Sequence, residues 1–138
     1  MEIEILNLLF DSGLLVLIWM IQLIVYPSFL YYNKEALVSW HRKYTLRLAI
    51  IVIPLMFGQL LLTSWQWYQL QTLEMTMRLL LVIAVWVSTF VQFVPIHNKI
   101  TQGKATNQHL KQLVHRNWLR TTLWTLICIL GIFLVITK

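Results

Sequence analysis

Four apolar runs dominate the chain, at roughly residues 5–30, 44–68, 76–96 and 117–137. Each reaches or approaches the ~20 residues that an α-helix needs to cross bilayer hydrocarbon, where every backbone polar group must be satisfied within the segment. The pattern predicts an all-α, integral membrane four-helix bundle of two helical hairpins, one transmembrane domain over residues 1–138. Composition agrees, since 59% of the 138 residues are hydrophobic and the length leaves no room for a second domain.

Charge then orients the bundle. Four crossings put both termini on one side. The connection 31–47 carries Lys34, Arg42, Lys43 and Arg47, and the connection 97–120 carries Lys99, Lys104, Lys111, Arg116 and Arg120, nine of the eleven basic residues. The positive-inside rule assigns these connections to the cytoplasm. Of the five acids, only Glu35 joins them, while Glu2, Glu4, Asp11 and Glu74 fall on the other side. The expected placement is a bacterial cytoplasmic membrane with N and C termini outside. The basic excess is explained by insertion and by anionic inner-leaflet lipid, so nucleic acid is not an expected partner. The first run is not read as a cleavable signal, because it outlasts the ~7–15 residues of a signal core and acids precede it.

Polar residues inside the runs should face the bundle, since lipid offers them no partner. At 100° per residue Asp11, Gln22 and Tyr26 share a stripe of the first span, which is expected to close at Tyr26-Pro27. The second span contains Pro54, Gly58, Gln59 and Thr63, with a kink expected at Pro54, and ends in Trp65, Trp67 and Tyr68 at the outer interface. The third aligns Arg78, Thr89 and Gln92 and is expected to stop near Pro95; the fourth aligns Trp118, Thr122 and Thr125, flanked by Thr121 and Cys128. Asp11 is too deep to stay charged alone, and Arg78 is its natural partner in a structural ion pair.

All four histidines, His41, His97, His109 and His115, fall in the two inner connections. Imidazole is available in both protonation states near neutrality, which suits proton transfer. His41, His97 and His115 sit near span ends beside Tyr26, Tyr44, Asn98, Asn117 and Arg120. A cavity lined by these and by Gln22 and Gln92 would be polar at its mouth and apolar below, fit for a flat, lipophilic molecule with oxygen substituents that arrives through the membrane lipid. Such histidines can equally satisfy helix ends and contact headgroups; His109 reads as solvated. The halves also read as a parallel 2+2 internal repeat: Gln22, Tyr26-Pro27 and His41-Arg42-Lys43-Tyr44 against Gln92, Val94-Pro95 and His115-Arg116-Asn117-Trp118. Such a repeat would bring His41 and His115 together across an axis along the membrane normal.

Several chemistries are excluded or weakened. The single Cys128 rules out an intrachain disulfide or CxxC pair and reads as packing. No HxxxH, HxH or Glu-x-x-His spacing is present, so no metal site is read; haem or a metal between His41 and His115 stays open only through the repeat. Glu35 as sole inner acid removes paired-carboxylate mechanisms, and isolated glycines form no phosphate loop.

The segment Thr89-Phe90-Val91-Gln92-Phe93-Val94-Pro95-Ile96-His97-Asn98-Lys99-Ile100, followed after a variable loop by Leu113-Val114-His115-Arg116-Asn117-Trp118-Leu119-Arg120-Thr121, resembles the anthrone-oxygenase-like family of small four-span membrane proteins. Pro95, Asn98, Trp118, Arg120 and Thr121 match that pattern; His97 departs from it, the order of Trp and His near the fourth span is loose, and the first half matches only through its Tyr-Pro. The resemblance implies oxygenation of an electron-rich polycyclic phenol to a quinone without an established cofactor. His41, His97 or His115 would then act as base, with Arg120 and Asn98 stabilising an oxyanion. The expected function is a membrane oxidoreductase or oxygenase acting on a lipophilic aromatic or quinone-like molecule. The alternatives are a carrier or channel for a small solute or protons, as a monomer or an oligomer, and a small lipid- and partner-binding subunit.

Overall fold

The computed structural model describes residues 2–137, nearly all of them helical. Four helices are long and apolar enough to cross a membrane: α1 (Glu2–Tyr31), α2 (Lys34–Leu70), α3 (Leu73–Thr101) and α4 (Asn107–Ile136). Each packs on the next and α4 closes back on α1, an up-and-down four-helix bundle. The chain is an integral membrane protein by this architecture, and its surface fits: Leu9, Val16, Ile50, Leu61, Leu80, Phe90 and Ile129 all point outward. Its interior instead holds Asn7, Asp11, Gln22, His41, Gln59, Arg78, Asn117 and Arg120. Polar groups inside and apolar groups outside is the arrangement hydrocarbon imposes.

The helices outrun the predicted spans at the basic end. Only Tyr32 and Asn33 separate α1 from α2, and Asn33 Oδ1 caps α2 by accepting from Ala36 N at 2.8 Å. The 31–47 connection is thus mostly helix, and α2 runs 37 residues, roughly 55 Å at 1.5 Å per residue. Likewise α4 begins at Asn107, where Thr106 and His109 form a reciprocal capping box. His109, expected to be solvated, is therefore a capping residue and only half-exposed. Between α2 and α3, Gln71 takes a left-handed conformation (φ 49°) and Thr72 caps α3.

Neither Pro27 nor Pro95 ends its helix. A proline lacks the N–H for the usual bond and its ring crowds the carbonyl four residues back. Both helices relieve this with a wide π turn just upstream, Ile21–Val25 in α1 and Thr89–Phe93 in α3. Tyr26 N–H bonds Ile21 O and Val94 N–H bonds Thr89 O, each five residues back. The helices then continue, to Tyr31 and to Thr101. These matching turns are the clearest mark of likeness between the halves. In α3 the wide turn also resets the inward face: Met75, Arg78, Val82, Val85 and Ser88 lead to Phe93, Ile96 and Ile100. Gln92, expected inward, is left only half-buried.

Candidate functional site

The two π turns set the height and direction of the residues that follow them. Tyr26 leaves α1 buried, and His97, one turn beyond the α3 π turn, meets it with Nε2 3.0 Å from the Tyr26 hydroxyl. His97 Nδ1 lies 2.7 Å from His41 Nε2, with the imidazoles stacked at 5.0 Å between centroids. His41 Nδ1 lies 3.0 Å from Thr101 Oγ1. His41 is fully buried because Leu37, His41 and Tyr44 repeat on the inner face of α2.

The result is a four-member chain, Tyr26–His97–His41–Thr101, in which each ring nitrogen has one partner. Two neutral tautomer sets satisfy it. If Tyr26 donates to His97, then His97 Nδ1–H donates to His41 and His41 Nδ1–H to Thr101; in the other set every bond is reversed. Switching between them moves the equivalent of one proton along the chain, which is what a relay requires.

The relay borders a cavity of about 470 Å³ between α2 and α3. From Thr45 through Leu48, Ala49 and Val52, α2 has no fully buried side chain, so the two helices stand apart there. Apolar walls come from Leu48, Val52, Met56, Trp86, Phe90 and Phe93, and the exposed Ile53, Phe57 and Phe90 open it towards the lipid-facing surface. Tyr26, Tyr44, His97, Asn98, Thr101 and Arg120 supply its polar groups. The Tyr44 hydroxyl and Arg120 Nε are buried with no partner among the described residues. Arg120 lays its guanidinium over Phe93, 4.3 Å from the ring centroid, and over Trp124 at 5.2 Å.

Below this, Gln22 ties α1 to α4: its Oε1 accepts from Asn117 Nδ2 at 2.9 Å and Thr121 Oγ1 at 3.4 Å, and its Nε2 donates to Val114 O. Towards the acidic end, Asp11 and Arg78 form a buried ion pair, and Gln59 donates to the free Asp11 oxygen at 2.7 Å while accepting from Trp124.

Five residues expected at the site, Gln22, Gln92, His115, Asn117 and Trp118, do not line the cavity. His115 is exposed on α4, so His41 meets His97 and not His115. Haem or metal ligation by a His41/His115 pair has no geometry here, and no cluster of three or more potential metal ligands occurs among the described residues. Trp118 is also exposed and packs edge-on against Trp19 at 5.8 Å, away from the cavity. Asn117 faces inward but serves Gln22. The fourth helix turns Asn117, Thr121, Trp124 and Cys128 to the core instead of Trp118, Thr122 and Thr125. Sequence reasoning also missed Thr101 as the end of the relay and Gln59 as the third member of the ion-pair cluster. No family model matches the chain, no curated protein matches it, and no solved structure matches it.

Proposed function

We propose that the protein is a membrane oxidoreductase that takes a flat, lipophilic aromatic or quinone-like molecule from the bilayer into the cleft between α2 and α3. The observation that carries this reading is the meeting of an apolar cleft with a buried, reversible hydrogen-bond relay. A phenol or enol lodged against Phe93 and Trp86 would hand its proton to the Tyr26–His97–His41–Thr101 chain. Asn98 and Arg120 border the same space and would favour the oxyanion left behind. The electron-rich ring is then open to O₂, the reaction that likeness to the anthrone-oxygenase-like family implies. Nine basic residues near this end support its placement at the cytoplasmic face of a bacterial inner membrane, with both termini outside.

The test is aerobic conversion of anthrone, with O₂, to anthraquinone and water by protein in nanodiscs, followed by absorbance. Positioned acid–base groups contribute about 10²–10⁴-fold, so His97→Ala and His41→Ala should each lose at least a hundredfold in kcat. His115→Ala should keep parental activity, because the ring lies outside the bundle. A His97→Ala protein as active as its parent rejects the reading.

A second reading, a carrier of protons or a small solute, draws on the polar residues running down the interior from Asn7 through Asp11 and Gln59 to Gln22. These side chains bond one another across helices, which favours interhelical glue over a path. Proton flux into liposomes that vanishes in Asp11→Asn would support the carrier instead.

A further inference from the structure

We infer that the molecule held in the α2–α3 cleft is an aromatic acid, bound as its anion with the carboxylate on Arg120. This rests on the reading of the cleft as the binding site and specifies what it selects.

The bundle contains two buried arginines, and they differ in one respect. Arg78 is 1% exposed and carries its own counter-charge, Asp11. Arg120 is 6% exposed and makes no ion pair among the described residues. Leaving a guanidinium in a low-dielectric interior without a counter-ion is unfavourable. The faces of Phe93 and Trp124 offset part of that. They engage only the π face of the cation. In plane, the guanidinium already bonds the Tyr26 side chain, but its buried Nε has no acceptor among the described residues, and the rest of this planar fork matches a carboxylate in bidentate geometry. The unpartnered Tyr44 hydroxyl borders the same cavity and can donate to the same group.

The body attached to that carboxylate is defined by the walls. Phe57, Trp86, Phe90 and Phe93 present rings, and about 470 Å³ accommodates a fused two- or three-ring molecule. An anionic phospholipid shares the oxyanion chemistry but brings two long chains in place of a ring system. Ring-lined walls favour the aromatic acid.

Binding of radiolabelled 2-naphthoate and of its uncharged counterpart 2-naphthalenemethanol to protein in phosphatidylcholine nanodiscs, with empty discs subtracted, tests this. The naphthoate should bind at least tenfold more tightly than the alcohol. Arg120→Gln should lose that tenfold preference and bind both alike, and Arg120→Lys should keep part of it; Tyr44→Phe should weaken naphthoate a few-fold, giving a readout if Arg120→Gln does not fold. Equal affinity of the parent for both compounds overturns the inference and leaves the cleft as a site for neutral ligands. Binding of neither overturns the cleft reading as well. A phospholipid retained in native mass spectra of the parent, displacing naphthoate and lost in Arg120→Lys, would assign Arg120 to lipid and end the proposal.

Discussion

The charge buried at Asp11 shows what single residues do here. Its two oxygens are divided between Arg78 and Gln59, and Gln59 in turn accepts from Trp124, so one carboxylate fastens four helices. Asp11→Ala leaves Arg78 buried and uncompensated, and should cost about 3–5 kcal/mol of stability, read by thermal unfolding in detergent. Replacing both partners, Asp11→Leu with Arg78→Met, should recover most of it. Gly131 sits against this pair: a Cβ there would stand 2.8 Å from Asp11 Oδ2. Gly131→Ala should therefore lower the melting temperature measurably, though less than Asp11→Ala, by pushing the carboxylate off its partners. At this scale the sequence is informative where polar atoms have no local alternative. Asp11, Gln22 and Tyr26 share a stripe by simple rotation, and all three are buried. Threonine is a poorer guide, because its hydroxyl can bond its own helix; Thr121 and Thr125 donate to Asn117 O and Thr121 O, four residues back. Reading Trp118, Thr122 and Thr125 as the inner stripe of α4 therefore missed the phase by one residue, and His115 was misplaced with it.

At the scale of elements, the π turns decide what the helices present. A wide turn is one residue inserted into an α-helix, and in α3 it lets both Ser88 and Phe93 face inward. Deleting Val91 should restore a regular helix with both stripes still inside, giving folded protein by fluorescence-detected size exclusion. Deleting Val85, in the regular part of α3, rotates everything beyond it by about 100°. It should take His97 from His41 and yield little folded protein. Helix number, type and rough position were legible from hydropathy alone. The helix ends were not, since Pro27 and Pro95 look like stops unless a wide turn is allowed for. The extensions of α2 and α4 at the basic end are polar, which conceals them from a search for apolar runs.

For the whole molecule, the segregation of charge predicts the sidedness. A reporter active only outside the cytoplasm should be active when fused after residue 138 and silent when inserted at Gly103, in the turn between α3 and α4. The reverse pattern would put the relay on the other face. The relay has one more property at this scale. Tyr26 and His41 belong to the first hairpin, His97 and Thr101 to the second, and the order of bonding is Tyr26–His97–His41–Thr101. Every link therefore passes from one hairpin to its counterpart, like thread laced through two edges of cloth. On the proposed reading neither half could move a proton by itself, and any loosening of the seam between them would break the chain of bonds at three places at once.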